Sequence, residues 1–345
     1  MTAGGRRAST TTSDDGGRRA QLRPVKLLAL IGDHLGVSPV EAATGIFPPG
    51  AAAVAGDTAW VLVEDDPGRG LGPALAWAIR HGASRLQLLA ERDTGLLARR
   101  AAGFTVPIEV WHVDERTLLP AVAEPPIPPP PASAQHLALL PAIEAGGAVP
   151  NVEHGVVTGE VRGLEVCRVV DDTATGAVRL EVGVGAHDRE AFTIMHGDVP
   201  TVEALAGVVA AVAAHRRPDA PQHPLNRLAP ERLLRWRLQQ DPALIGLVSL
   251  VPTPPPVPRP SIKDRAPCSA RGRRPDGSPA LVVCSSGGDL DVIPYAIDAR
   301  RHEPGADEEV MVVAEERDLL PITADLATLA AQPLSLVAVR AAHPA

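Results

Sequence analysis

The sequence predicts an α/β protein: two βαβαβ units, N-terminal and C-terminal, flanking an α+β insert with a three-strand meander. Three observations predict it. First, Trp60–Arg80 (WVLVEDDPGRGLGPALAWAIR) lies without gaps over Leu281–Arg301 (LVVCSSGGDLDVIPYAIDARR), with Pro73 over Pro294. Further on, Leu88–Asp93 matches Val313–Asp318, and both stretches close on an apolar strand, Ile108–Val113 and Leu334–Val339. Second, each stretch opens on a continuous apolar run, Ala59–Val63 and Ala280–Cys284, as strands covered on both faces of a parallel sheet do. Third, Pro73 and Pro294 fall in the first turn of the helices that follow, where a missing N–H has no intrahelical partner to lose.

In chain order, residues 1–22, rich in Gly, Ser, Thr and Arg, read as a disordered tail. The N-terminal α/β unit spans 23–119 and begins with a short helix from Pro24 to Val37, with Leu27, Leu28, Ile31 and Leu35 on one face. A proline-rich linker follows at 120–132, then an α+β middle domain at 133–250. That domain reads as a helix (His136–Glu144), strands Glu153–Thr158, Gly163–Val170 and Val178–Val184, and a helix from Thr201 to His215. The turn Asp171–Gly176 makes the last two strands an antiparallel hairpin. Between Pro221 and Gly246, Arg227, Arg232, Arg235 and Arg237 alternate with leucines, and they read as a solvated helix face. A second proline-rich linker, 251–278, precedes the C-terminal unit at 279–345.

Composition narrows the function. At 345 residues the chain can bury a large core, built from small aliphatic side chains because aromatics are few. A net charge of -8 disfavours, without excluding, a nucleic-acid partner. Only Lys26 and Lys263 are lysines among 33 basic residues, which nearly removes lysine from the possible catalytic groups. Cys167, Cys268 and Cys284 form no CxxC pair and read as buried thiols of a reducing compartment. No apolar run reaches the roughly 18 residues of a membrane span, so the expected location is cytoplasmic, without a membrane partner.

Ligands of open α/β sheets sit beyond the C-terminal strand ends, beside helix N-termini. Here those loops are Glu64–Gly70, with Gly68 and Gly70, and Ser285–Asp291, where Ser285, Ser286, Gly287, Gly288 and Asp289 suit an anion-cradling turn. The aspartates Asp289 and Asp291 oppose an anion unless a cation bridges them or they cap the next helix. Gly68-Arg69-Gly70-Leu71-Gly72-Pro73, with Glu91 closing the next strand, resembles a Rossmann dinucleotide fingerprint. Proline stands at its third glycine, and Glu64 to Asp66 would face the pyrophosphate.

In the middle domain Glu165 and Glu181 share a face if residue 165 pairs with 181 or 183, and a one-residue register shift separates them. With Asp188 nearby, this α-β-β-β-α order is similar to the core of the PD-(D/E)XK nuclease superfamily. That resemblance implies catalytic Glu165, Glu181 and Asp188, with Mg²⁺ or Mn²⁺ held by Glu165 and Glu181. Glu181-Val182-Gly183 puts glycine where the family has lysine, with Arg189 as a substitute whose planar guanidinium does not copy an ammonium's position. His154, His187 and His196, near Glu153, Asp188 and Asp198, are compatible with a zinc or manganese site but lack i, i+4 spacing. The segments HGDVPTVEALAGVVAAVAAHR and VVCSSGGDLDVIPYAIDAR resemble conserved proteins of high-GC Gram-positive bacteria, a resemblance with no implied activity. Together these readings predict two Rossmann-like units binding a small molecule in a regulatory role. The alternatives are a degenerate metal-dependent nuclease or phosphodiesterase, and an enzyme using a nicotinamide or flavin dinucleotide.

Overall fold

The computed structural model describes residues 11–37, 41–172, 175–196, 201–217, 223–259, 261–302 and 308–341. It is a mixed α/β protein with sheets of six, four and five strands, and it divides into two units. The first comprises Met1–Pro125 with Thr328–Gln332, and the second Pro126–Ala327 with Pro333–Ala345. Among the described residues, no helix is long and apolar enough to cross a membrane.

The first unit runs α1 (Thr11–Leu35), β1 (Ala43–Gly45), β2 (Gly50–Ala55), β3 (Thr58–Val63), α2 (Leu71–Arg80), β4 (Arg85–Ala90), α3 (Thr94–Ala101), β5 (Ile108–Asp114) and β6 (Thr117–Pro120). Its strands lie side by side in chain order. The central β3, β4 and β5 are parallel and joined through α2 and α3, while the outer strands pair antiparallel. Small side chains at Ala51 and Ala53 let α1 settle on the sheet, where Leu27, Leu30 and Ile31 meet Trp60 and Leu62. Leu35, expected on that face, is exposed.

The expected tail, 1–22, overlaps α1, which begins at Thr11. Arg18, Arg19, Ala20, Gln21 and Leu22 are strong helix formers that the Gly/Ser/Thr content of this region outweighed in the composition reading. Residues 1–10 lie outside the described residues.

The second unit begins with α4 (Ala134–Leu137) and α5 (Leu140–Ala145), followed by the antiparallel strands β7 (Val149–Glu153), β8 (Val156–Val161), β9 (Leu164–Asp171) and β10 (Val178–Val182). Then come α6 (Ala186–His196), α7 (Thr201–His215) and α8 (Pro230–Gln240). The five-stranded sheet follows: β11 (Ser249–Thr253), β12 (Cys268–Arg273), β13 (Pro279–Cys284), α9 (Val292–His302), β14 (Glu309–Glu315), α10 (Pro321–Thr328) and β15 (Leu334–Val339). Here β13, β14 and β15 are parallel, and β11 and β12 antiparallel.

Several expectations about this unit are corrected. The helix expected over His136–Glu144 is two short ones, because Pro141 has no N–H to donate to the Leu137 carbonyl and its ring crowds that carbonyl, so one helix ends at Leu137 and a second starts with Pro141 in its first turn. The meander has four strands where three were expected. Its first expected run, Glu153–Thr158, is interrupted by the two-residue turn His154-Gly155, and Arg162-Gly163 makes the next turn. All four of these turn residues have positive φ, 49° and 77° at the first pair and 50° and 78° at the second, which matches the right-handed twist of a tight hairpin. A side chain at Gly163 would also stand 2.4 Å from the Arg232 carbonyl oxygen.

Residues 251–278, expected as a linker, contain β12 and most of β11. Pro252 is tolerated within β11 because that strand is the sheet's edge, where a missing N–H breaks no inner ladder. The middle and C-terminal segments therefore belong to one unit, with Leu234 and Leu238 of α8 packing on Cys268, Val282, Cys284 and Val313.

Candidate functional site

In the second unit, the loops after β13 and β14 open onto a cavity of about 340 Å³. Ser285, Ser286 and Gly287 form one wall, Glu315, Arg317 and Asp318 another, and Asn226, Arg227, Pro230, Leu233, Leu234 and Arg237 a third, with Arg265 beside them. The position follows from the topology. Parallel strands place their C-terminal ends together, and the backbone must leave the sheet there as loops.

Charge in this lining is uneven, four arginines against two acids. Glu315 is already neutralised, with Arg317 Nη2 at 2.8 Å and Arg237 Nη1 at 3.8 Å. Two polar atoms of this lining are buried with no partner among the described residues, the Ser286 hydroxyl and the Asn226 carbonyl oxygen Oδ1. A buried polar atom without a partner costs about 1–3 kcal/mol, which a ligand supplying the missing bond would relieve. Gly287 and Gly288 are both left-handed, at φ 74° and 68°. The aspartates that sequence set against an anion do not line the cavity. Asp289 Oδ1 instead accepts the N–H of Asp291 at 3.0 Å, at the entry to α9.

The cavity thus includes Ser285, Ser286 and Gly287 from the sequence-expected ligand loop, while Gly288 and Asp289 lie just beyond it. Sequence reasoning did not bring Asn226, Arg227, Arg237 or Arg265 to this place. Those residues come from loops and a helix far away in the chain, and no local spacing signals it.

The corresponding loop of the first unit is closed on itself. Gly68 and Gly70 lie in and just after a single helical turn, Pro67–Arg69. The Gly68 carbonyl accepts from the buried Arg100 at 2.8 Å, and the Gly70 N–H donates to the Pro67 carbonyl at 2.9 Å. A side chain at Gly70 would meet Val63 at 2.7 Å, so this glycine serves close helix–strand packing. The neighbouring acids are paired by α1: Glu64 with Arg23 and Lys26, both at 2.8 Å, Asp65 with Arg23, and Glu91 with Lys26.

The third candidate group sits on the polar face of the four-stranded sheet. Glu181 lies opposite Arg168, and Val182 opposite Cys167, a register that would by itself turn Glu165 away from Glu181. An irregularity restores it. Between β8 and β9, Gly159 pairs with Cys167 but Glu160 with Glu165, so one extra residue, Val166, shifts the alternation and returns Glu165 to the face of Arg168.

There Glu165 receives Arg168 through both oxygens, at 2.9 and 2.8 Å, and Arg189 at 2.8 Å. Glu181 receives Arg179 at 2.8 Å, with Arg189 Nε at 3.5 Å. Asp188 accepts the Val184 N–H at 2.9 Å, closing the turn into α6. This donor set does not fit Mg²⁺ or Mn²⁺. A divalent ion needs free carboxylate oxygens, and these are held by guanidinium groups of its own charge sign. Among the described residues, no group of three or more His, Cys, Asp and Glu is arranged to hold a metal. His154 Nε2 instead meets the Pro255 carbonyl at 2.7 Å. Asp198 and the side chain of His196 lie outside the described residues.

Beside this group, the helix expected to present arginines to solvent buries them. Arg232 and Arg235 of α8 turn onto the sheet's polar face, where Arg232 pairs with Glu153 and Glu160. Burial alone would raise the Glu153 carboxyl, but Arg232 and Arg235 hold it below its ordinary value. Glu231, ion-paired with Arg259 at 3.0 Å, is pushed up by the same burial, which outweighs the pull of Arg259 and Arg232. The reason is geometric: a sheet face carrying Glu153, Glu160 and Glu165 requires cations from whatever packs on it.

No protein-family model, no curated protein and no solved structure matches the chain.

Proposed function

We propose that this protein binds a small anionic molecule in the cavity at the ends of β13 and β14, in a ligand-sensing or regulatory role. The observation that carries the reading is the coincidence, in one 340 Å³ space, of an arginine-rich lining with the unpartnered Ser286 hydroxyl. The volume lies at the lower end of small-molecule sites, which run from about 300 to 1,000 Å³. Net charge says nothing against it, because the local lining, four arginines against two acids, is positive.

The same reading treats the two parallel three-strand units as copies of one Rossmann-like pattern. Thr58–Val63 and Pro279–Cys284 have the same length, each follows an antiparallel strand, and α2 and α9 each carry their proline at the third position. On this view one pattern serves two ends. In the first unit the loop is closed by Arg100, and in the second it stays open for a ligand.

Release of small molecules from the purified full-length chain, identified by mass spectrometry, tests the proposal. An anionic compound should accompany the wild type and be absent from Ser286→Trp, whose indole fills the cavity. Equal small-molecule content in both proteins would remove the support for this site.

A further inference from the structure

We infer that the anionic group taken by this cavity is a phosphate monoester, cradled by the Ser286–Gly288 turn and Arg265. The inference rests on the ligand-binding reading above and narrows it to one chemical class.

The donor count is the first argument. No backbone acceptor among the described residues takes the N–H groups of Ser286, Gly287 or Gly288, and the Ser286 hydroxyl is likewise unmatched. Successive N–H groups flanking left-handed residues form a concave donor surface suited to anions. A carboxylate offers two oxygens in one plane. A phosphate monoester offers three terminal oxygens in a pyramid, and so can accept from a backbone turn, a hydroxyl and a guanidinium together.

Arg265 supplies the charge. A side chain built on Gly287 would collide with its Nη1, so the guanidinium lies directly against the turn, whose left-handed φ of 74° favours glycine. The α9 helix follows, eleven residues long, with its N-terminal end toward the loop and its partial positive charge adding to that of the arginine. Asp289 would oppose a phosphate, but its Oδ1 is bonded to the Asp291 N–H.

The rest of the cavity describes the rest of the ligand. Pro230, Leu233 and Leu234 form an apolar wall for a short carbon skeleton. The unpartnered Asn226 Oδ1 calls for a hydroxyl or N–H on that skeleton. A phosphorylated polyol or a similar small metabolite fits this description.

Isothermal calorimetry on the full-length chain tests the inference with three probes: inorganic phosphate, glycerol 3-phosphate and glycerate. The expected result is that both phosphates bind one competitive site and that glycerol 3-phosphate binds at least about tenfold tighter than glycerate. Ser286→Ala should weaken glycerol 3-phosphate about tenfold, and Arg265→Gln by more, without change in the circular dichroism spectrum. Glycerate binding as tightly as glycerol 3-phosphate, with the same sensitivity to Arg265→Gln, would overturn the phosphate assignment while leaving an anion site. Failure of both phosphates to bind would overturn the phosphate assignment, while the anion site itself stands or falls on the small molecules released from wild type and Ser286→Trp.

Discussion

Arg216 is the buried residue whose removal tests most sharply how the cavity is built. It is 1% exposed and, among the described residues, forms no ion pair with a carboxylate. Its guanidinium instead donates to four carbonyls: Leu225 and Leu228 at 2.8 Å, Arg162 at 3.0 Å and Ala229 at 3.4 Å. Burial pushes the group down to about 10, against the pull of Glu160 and Glu231, so it stays charged at neutral pH. These bonds fix the loop that carries Asn226, Arg227 and Pro230 into the cavity wall.

Arg216→Met keeps much of the volume and removes every donor. Two short and two longer bonds to buried carbonyls, at about 1 kcal/mol each, give an expected loss of about 3–4 kcal/mol. At about 2–4 °C per kcal/mol for a unit of this size, Tm should fall by about 10 °C. Arg216→Lys keeps the charge but reaches fewer carbonyls, and should lie between. Urea unfolding of the three proteins, followed by tryptophan fluorescence, measures the differences. A loss under about 1 kcal/mol for Arg216→Met would refute the view that this arginine holds the loop.

Four further predictions concern the buried charges and thiols. Glu153 is held below its ordinary 4.5, so its contribution to stability is complete above that pH and fades as pH falls below it. Glu153→Gln should therefore destabilise clearly at pH 7 and less at pH 4, as read from Tm. Glu231 is raised above 4.5, so its contribution is present below that pH and lost as pH rises through the folded value. Relative to wild type, Glu231→Gln should gain Tm from pH 4 to pH 7, and a constant offset would contradict the assignment. Burial pushes the Cys167 thiol up to about 12, so maleimide at pH 8 should label it only after denaturation, as peptide mass mapping would show. Because Arg168, Arg179 and Arg189 occupy Glu165 and Glu181, millimolar Mn²⁺ should leave Tm unchanged, and a saturable rise abolished by Glu181→Gln would contradict that pairing.

What could be read from the sequence was local. Apolar runs marked β3 and β13, and Pro73 and Pro294 marked the first turns of α2 and α9. The loop Ser285–Asp289 was recognisable from its glycines and hydroxyls. What escaped was set by pairing between distant segments. The extra residue at Val166 decides which face Glu165 occupies, and no alternation pattern reveals a bulge. His154-Gly155 and Arg162-Gly163 are tight turns without the Asn-Gly or Asp-Gly signature, so one strand boundary was misplaced. The arginines of α8 read as solvated because the glutamate partners of Arg232 lie 72 and 79 positions earlier, on the four-stranded sheet. Pro252 hid an edge strand inside an apparent linker.

The most direct test of the cavity is amide NMR of the full-length chain during titration with glycerol 3-phosphate. The amides of Ser286, Gly287 and Gly288 should shift together and saturate, while those of Gly68, Gly70, Glu165 and Glu181 stay in place. Saturable shifts confined to residues 165–189, or to the 64–70 loop, would contradict the account.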